Sequence, residues 1–400
     1  MKPYKHSPAH KSDNFAELVC SNSLKASKID SAAGLLKEEM RLHSSICLES
    51  ASRCAVAAGG ALAVDRDLFS SYITDVVKNH PLITVKNEVV DKIENDTVTV
   101  IATGPLTDSA LVEEIKKISG EECLSFYDAA APIVTKESID FSKAFFASRY
   151  QKGTDDYINC PFNKEEYENF HKELISAQSA ITHEFDKPIN VYEGCMPIEI
   201  LAKRGSDSIR FGPLKPVGLI DPNTQKRPWA VVQLRSENAN GTLFNIVGFQ
   251  TNLKFGEQKR VFSLIPGLQN AEFVRYGVMH RNTFINSPKV LNKNLSLKAN
   301  ENVFIAGQLS GVEGYMESAA SGIMAGINAV RFFKSEEAYI LPEFTMIGAL
   351  LGFITDSSVT NFQPMGANFG ILPPLINHIR DKKERYATFS ARSLEFFENI

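Results

Sequence analysis

Two β-rich runs that each end in a glycine turn, far apart in the chain, constrain the fold most. Residues 97–102 lead into Thr103-Gly104-Pro105, and residues 303–306 lead into Gly307. A strand that ends in a glycine turn is typical of nucleotide-binding α/β sheets, where ligands sit at the carboxyl ends of the strands. The two runs therefore predict a ligand-binding α/β domain built from both ends of the chain.

The segment after the second run is the clearest candidate ligand site. Gly307, Gly311 and Gly314 punctuate a turn that leads into a helix rich in Ala and Ser. Free N–H groups and the dipole at such a helix start suit an anion or a polar ring. Tyr315 could stack on a ring and Glu317 could bind its polar edge, whereas a packed turn residue and a capping acid are the ordinary alternatives.

Between the two runs the sequence changes character. Charged helical patterns such as residues 163–178 alternate with strand-like runs at 229–234 and 243–250. We predict an inserted second α/β domain of residues 106–295, within a first domain formed by 1–105 and 296–400. Further predicted elements are helices near 35–49, 69–78 and 346–354 and a strand at 82–90.

Cysteine spacing and hydropathy exclude several classes of protein. The six cysteines include no CxxC pair, which argues against a disulfide framework and a zinc site, so we expect no metal. No run approaches the roughly 18 apolar residues of a membrane span, and the N-terminal residues lack an apolar signal core. We expect a cytoplasmic protein without a membrane segment.

The overall charge does not indicate a nucleic-acid partner. Lys and Arg number 43 against 47 Asp and Glu, which leaves a net charge of -4. RNA would therefore need a local basic surface. The candidates are Lys254, Lys259 and Arg260 beside Phe255, and Lys382 and Lys383 near the end of the chain, although such charge runs more often form a solvated face.

Cys20 is the first candidate for chemistry. It ends a short apolar run and is followed by Ser21-Asn22-Ser23. Judged from residues alone, a lone cysteine here is more often a small buried side chain than a nucleophile. His280 and Arg281 are likewise open to two interpretations, an exposed base with an anion-binding cation or a salt-bridged turn.

Long segments in one order resemble the bacterial flavin- and methylenetetrahydrofolate-dependent tRNA (uracil-5) methyltransferases. The resemblance covers essentially the whole chain. The segments are residues 7–10, 15–24, 58–66, 102–107, 127–134, 248–251, 275–286 and 311–315.

The resemblance implies a glutathione-reductase-like FAD-binding domain with an inserted α/β domain. It also implies C5-methylation of a uridine in the T-loop of tRNA, with methylenetetrahydrofolate as carbon donor and with FAD reduced by NADPH (or NADH). Cys20 and Cys195 match catalytic cysteines, and His280 and Arg281 match folate or substrate residues. The implied flavin-site residues are Thr103, Gly104, Gly307, Gly311, Glu313, Gly314, Tyr315 and Glu317.

The sequence departs from this family at its front. The family opens with a strand, a GxGxxG turn and a helix, whereas no GxGxxG occurs here, so the resemblance implies that about 30 residues, the size of a minimal βαβ unit, would be absent. That turn would hold the flavin pyrophosphate on its N–H groups. We therefore expect weak flavin binding and a parallel sheet that lacks central strands.

Three alternatives remain open at this point. One is the same chemistry on 23S rRNA, because nothing in the sequence reads the RNA target. Another is a truncated, non-catalytic remnant that binds RNA. A generic NAD(P)H flavoprotein oxidoreductase is disfavoured, because Cys20 and Cys195 have no partner at redox-motif spacing.

Overall fold

The computed structural model describes residues 10–94, 96–151, 154–180, 196–377 and 379–398. The α-helices are α1 (Ala32–Leu42), α2 (Ile46–Arg53), α3 (Arg66–Asn79), α4 (Ser109–Ser119), α5 (Lys164–Ser176), α6 (Ile198–Lys203), α7 (Phe255–Phe262), α8 (Ser287–Val290), α9 (Tyr315–Phe333), α10 (Met346–Thr355) and α11 (Lys382–Glu398). The β-strands are β1 (Ser23–Ala26), β2 (Ala55–Val56), β3 (Ala61–Val64), β4 (Thr99–Ile101), β5 (Leu124–Ala129), β6 (Ile133–Thr135), β7 (Phe145–Phe146), β8 (Tyr157–Phe162), β9 (Ala230–Ser236), β10 (Leu243–Ile246), β11 (Phe273–Arg275), β12 (Met279–Phe284), β13 (Ser296–Leu297) and β14 (Asn300–Ile305).

The two runs that end in glycine turns pair side by side. Strands β4 and β14 are parallel, with Ile101 opposite Ile305, and the Ala306 N–H donates to the Ile101 carbonyl at 2.9 Å. Strand β13 adds to β14 on the other side, antiparallel. Because β4 and β14 end at one edge, Thr103 and Gly307 follow them at that same edge. In the described part of the chain this sheet has three strands, with a single parallel pair.

Both ends of the chain contribute to the first hydrophobic core. Helix α9 carries small buried residues, including Ala320 and Ala325, which allow close packing against β14 and α1. Helix α10 is almost entirely apolar and buried. Glu39 of α1 accepts hydrogen bonds from the Met346 and Ile347 N–H groups at 2.6 and 2.8 Å, so a buried carboxylate caps α10 and joins the two parts of the chain.

A six-stranded antiparallel sheet supports a second core. Its strand order is β11-β6-β10-β9-β8-β7, and α5 packs on it through Phe170 and Leu174. The buried residues of this core fall between Ala131 and Ala271, whereas Leu111 of α4 belongs to the first core. The domain boundaries at residues 106 and 295 therefore stay a prediction. We propose that the second domain is narrower and lies around the core between Ala131 and Ala271.

Several sequence-based elements differ in the structure. The helix predicted near 35–49 is two helices, α1 and α2, because Ser44 adopts a left-handed backbone conformation with φ of 54°. The strand predicted at 82–90 is wrong: this segment forms neither strand nor helix, and Leu82 is 89% exposed. Its apolar residues favour a strand, but no neighbouring strand pairs with them. The basic residues near the C-terminus begin a helix, α11.

None of the helices in the described ranges is long and apolar enough to span a bilayer.

Candidate active site

Cys20 lies three residues before β1 and against the first turn of α9. The Cys20 N–H donates to the Tyr315 hydroxyl oxygen at 2.9 Å, and the Cys20 sulfur lies 3.0 Å from the same oxygen. Tyr315 is the first residue of α9, after Gly314. The predicted nucleophile and the predicted flavin turn therefore meet in one place.

The Tyr315 hydroxyl is placed to donate a hydrogen bond to a Cys20 thiolate. Burial, followed by the neighbouring charge of Cys20, raises the pKa of Tyr315 well above its usual value, so the phenol keeps its proton. Its oxygen already accepts the Cys20 N–H. The phenolic proton is consequently available to donate to a Cys20 thiolate, which a hydrogen bond to the charged form stabilises.

Arg66 is the first of three arginines that hold the chain around Cys20. It begins α3, donates to the Leu18 carbonyl and pairs with Glu237 at 2.6 Å. The side chains of Arg66 and Glu237 are 14% and 3% exposed. Burial by itself lowers the pKa of Arg66, but Glu237 reverses this and raises it, so the guanidinium stays charged.

Arg235 and Arg275 complete this set from the antiparallel sheet. Arg275 of β11 donates to the Val19 carbonyl. Arg235 of β9 donates to the Ser21 hydroxyl at 3.0 Å and to the Asn22 side-chain oxygen at 2.9 Å. Together with Arg66, these arginines hold the residues on both sides of Cys20.

The three arginines favour a negative charge at Cys20. Burial lowers the pKa of Arg235 and of Arg275, while a charge on Cys20 acts in the opposite direction on both, and on Arg66 as well. The interaction is mutual, so three cations partly balanced by Glu237 stabilise a thiolate. Sequence reasoning missed all three arginines, because single arginines scattered along a chain carry no spacing signal.

Glu317 lies one helical turn beyond Gly314 and is 1% exposed. Its Oε1 accepts from the Lys25 ammonium at 2.6 Å and from the Ala367 N–H at 3.1 Å. Its Oε2 is buried and has no hydrogen-bond partner among the described residues. A buried acceptor without a partner is rare and suits a ligand that carries an N–H donor.

The backbone conformation of the predicted flavin turn, and at Gly314 the lack of space for a Cβ, explain why glycine occupies these positions. Gly314 has a φ of 125°, and a Cβ there would lie 2.1 Å from Glu317 Oε2. Gly307 and Gly311 also have positive φ, of 71° and 82°. Glu313 is nearly buried, and its Oε2 accepts from the Gln308 amide at 2.5 Å.

Space for a ligand remains where β4 ends. Thr103 is exposed, its hydroxyl lies 2.7 Å from that of Thr107, and a Cβ on Gly104 would meet no atom within 4 Å. The two strand ends and the unpartnered Glu317 oxygen therefore fit a planar polar ring such as the isoalloxazine.

Three further predicted site residues are described by the structure only in part or not at all. His280 and Arg281 lie on β12, where their backbones pair with Asp128 and Tyr127 of β5, and their side chains lie outside the described residues. Cys195 also lies outside the described residues. In the described ranges, no three His, Cys, Asp or Glu residues converge as metal ligands.

The predicted RNA residues differ in how far their charges are already paired. Arg260 contacts Glu173 and pairs with Glu257 at 2.8 Å, and the hydrogen bond that Arg260 donates to Glu257 raises the pKa of Arg260 above its usual value. Lys254 and Lys259 are exposed. Lys382 and Lys383 begin α11, where the Lys382 ammonium lies 5.4 Å from the ring centroid of Tyr386. Arg260 is therefore the weakest of these candidates.

Solved structures share this architecture. Aquifex aeolicus GidA, in its form II crystal, superposes with a TM-score of 0.67 at 16% identity and covers 96% of this chain and 67% of its own. The form I crystal gives a TM-score of 0.63 at 17% identity, covering 96% and 70%. This likeness confirms the predicted fold class.

Sequence comparisons identify the family. The model described as glucose inhibited division protein A matches residues 6–337. The methylenetetrahydrofolate–tRNA-(uracil-5-)-methyltransferase TrmFO of Listeria innocua is 57% identical over 100% of this chain and 92% of its own length. The protein of that name from Halalkalibacterium halodurans is 55% identical over the same shares. With more than half of its residues identical along its whole length, the chain belongs to the methylenetetrahydrofolate–tRNA-(uracil-5-)-methyltransferase family.

Proposed function

We propose that the chain methylates C5 of a uridine in the T-loop of tRNA, with methylenetetrahydrofolate as carbon donor and NADPH (or NADH) as reductant. The observation that carries the proposal is the position of Cys20, between the Tyr315 hydroxyl and three arginines that hold the neighbouring residues. The relatives named for this reaction support the choice of substrate and carbon donor. A tRNA substrate implies that the enzyme acts in the cytoplasm.

The reaction needs a thiolate, because C5 of uracil is a weak carbon nucleophile. Addition of a thiolate to C6 forms a C–S bond and moves an electron pair onto O4, which makes C5 nucleophilic. Once C5 has gained the one-carbon unit, a base removes the C5 proton and the C–S bond breaks. Tyr315 and the arginines stabilise the thiolate form of Cys20.

Two thiol roles are available, nucleophile at C6 and base at C5. We assign one to Cys20 and the other to Cys195. A tRNA that carries 5-fluorouridine separates the roles, since fluorine at C5 blocks proton removal and traps the covalent adduct. If C20A still forms the adduct, Cys20 is the base; if the adduct is lost, Cys20 is the nucleophile.

The edge of the sheet where β4 and β14 end in glycine turns would hold the flavin. When bound, FAD and the folate supply the one-carbon unit and the electrons that complete the methyl group. Thr103, Gly104 and the turn from Gly307 to Glu317 would contact the flavin, and we propose His280 and Arg281 for the folate. For Tyr315, the hydrogen bond to Cys20 favours a role in supporting the thiolate over the predicted ring stacking.

The test is to measure 5-methyluridine by mass spectrometry in tRNA and rRNA from a strain that lacks the gene. We expect tRNA to lose the modification, the wild-type gene to restore it, and C20A to fail. A tRNA that keeps its methyluridine while 23S rRNA loses it would assign the enzyme to rRNA. Unchanged methyluridine in both RNAs would favour the non-catalytic, RNA-binding alternative.

A further inference from the structure

Three aromatic rings form a stack on the surface of the second domain. The Phe273 and Tyr276 ring centroids are 5.3 Å apart with 12° between the ring planes, and those of Tyr276 and Phe255 are 4.9 Å apart with 17°. Phe273 packs against the second core, while Phe255 is 54% exposed. The stack therefore runs from the core outward and presents Phe255 to solvent.

Gln258, which is fully buried, connects the segment that carries Phe255 with the segment that carries Tyr276. Its amide nitrogen donates to the Leu253 and Gly277 carbonyls at 2.7 and 2.8 Å, and its oxygen accepts the Gly277 N–H at 2.8 Å. A Cβ on Gly277 would lie 2.5 Å from the Thr251 methyl group. The helix that carries Phe255 and the loop that carries Tyr276 are thus fixed relative to each other, so the stack is formed before any ligand binds.

Strand β11 links the stack to the segment that contains Cys20. Arg275, which stands between Phe273 and Tyr276 in the sequence, donates to the Val19 carbonyl next to Cys20. The backbone that carries two of the three rings is therefore tied to the candidate active site.

The charges beside the stack suit a polyanion. Lys254 is exposed at the start of α7, and its ammonium donates to the neutral Gln178 side-chain oxygen at 3.1 Å. Lys259 is exposed on the same helix. Neither lysine forms an ion pair with another residue in the described part of the chain, unlike Arg260.

We propose that the Phe255–Tyr276–Phe273 stack binds an unpaired nucleobase of the RNA substrate, with Lys254 against the adjoining phosphate. An exposed ring flanked by cations is the usual means of binding single-stranded nucleic acid, because every base has a face that can stack. The proposal deepens the proposed function and rests on RNA being the substrate.

The experiment compares F255A with F211A in the full-length protein. Phe211 is 70% exposed on the same domain and lies beside Arg210, which makes it a matched control. We expect F255A to weaken binding of an unmodified tRNA transcript about five- to 100-fold, F211A to leave it unchanged, and F255W to restore it. Because Phe255 is 54% exposed and, among the described residues, stacks only on Tyr276, F255A should lower Tm slightly and remain folded at the assay temperature.

The salt dependence of binding adds a second readout. K254A should reduce the slope of log Kd against log salt by about one, whereas F255A should leave the slope unchanged. Equal tRNA affinity for F255A, F211A and wild type would overturn the proposal, and so would a change in the folate KM alone, which would assign the stack to the pterin. Failure of the proposed function looks different: the wild-type protein would methylate no RNA, yet F255A would still bind tRNA more weakly.

Discussion

The hydroxyl oxygen of Tyr315 lies 3.0 Å from the sulfur of Cys20, although the two residues are 295 positions apart in the chain. The same oxygen accepts the Cys20 N–H at 2.9 Å. These two contacts join the N-terminal cysteine loop to the start of the longest described helix, so the folding of both chain ends places a proton donor at the thiol.

Replacing Tyr315 with Phe removes that donor and keeps the ring. We expect Y315F to shift the alkylation of Cys20 by iodoacetamide to higher pH, because the thiolate loses a hydrogen bond to its charged form. Methylation should fall about tenfold or more. Peptide mass spectrometry across a pH series measures alkylation at Cys20 separately from the other cysteines.

Y72F is the matched control, since the Tyr72 hydroxyl bonds Glu49 in an exposed position far along the chain from Cys20. It should leave the Cys20 alkylation profile unchanged. If Y315F and Y72F gave the same profile, the Tyr315 hydroxyl would have no part in stabilising the thiolate.

The ion pair of Arg66 and Glu237 predicts a shift of Cys20 alkylation in the direction opposite to that expected for Y315F. E237Q removes the carboxylate that balances Arg66, so the site becomes more positive, and Cys20 alkylation should move to lower pH. It also leaves a buried guanidinium without its counter-charge, which lowers the free energy of unfolding by about 3 kcal/mol. Thermal denaturation measures this loss as a lower Tm.

E49Q is the control for that experiment, because Glu49 and Arg53 form an exposed pair one helical turn apart. An exposed pair of this kind contributes little to stability because solvent screens it, so Tm should barely change. Equal Tm values for E237Q and E49Q would mean that the buried pair contributes no more than a surface one.

The sequence predicted the strands and turns of this site better than its electrostatics. Residues 97–102 and 303–306 combine β-rich composition with a glycine turn, and both signals are local, so the two strands and their turns could be predicted, although their pairing could not. The arginines around Cys20 come from α3, β9 and β11, and only the tertiary fold brings them together. The strand predicted at 82–90 failed for the same reason: a local β-propensity says nothing about whether a partner strand exists.

Glu39 gives the stability a pH dependence. Burial raises its pKa to about 7, against the lowering effect of hydrogen bonds from Ser393, Ile347 and Met346. Between the unfolded value near 4.5 and 7, the native state holds a proton that the unfolded chain has lost, so stability falls as pH rises, by up to about 1.4 kcal/mol per unit.

E39Q should remove the fall in stability with rising pH that Glu39 causes. It should also lower Tm at every pH, since one amide oxygen cannot accept from all three donors of the native cap. The measurement is Tm at pH 5 and pH 7 for wild type, E39Q and the half-buried control E38Q. If E39Q and E38Q showed the same change in Tm between the two pH values, the native proton on Glu39 would be disproved.

Gly314 provides the sharpest test of the flavin turn. A Cβ there would lie 2.1 Å from Glu317 Oε2 and 2.7 Å from the Lys25 ammonium, and φ is 125°, so G314A must displace the carboxylate and strain the backbone. We expect G314A to purify with less flavin per chain than wild type. The measurement is the ratio of absorbance at about 450 nm to that at about 280 nm, recorded at a temperature below the Tm.

G322A is the control, because Gly322 lies in the same helix and its added methyl group would meet no atom within 4 Å. It should keep the flavin content and gain up to about 1 kcal/mol from helix propensity. Equal flavin content in G314A and G322A, from a wild type that retains flavin, would show that the Gly314–Glu317 turn does not hold the ring.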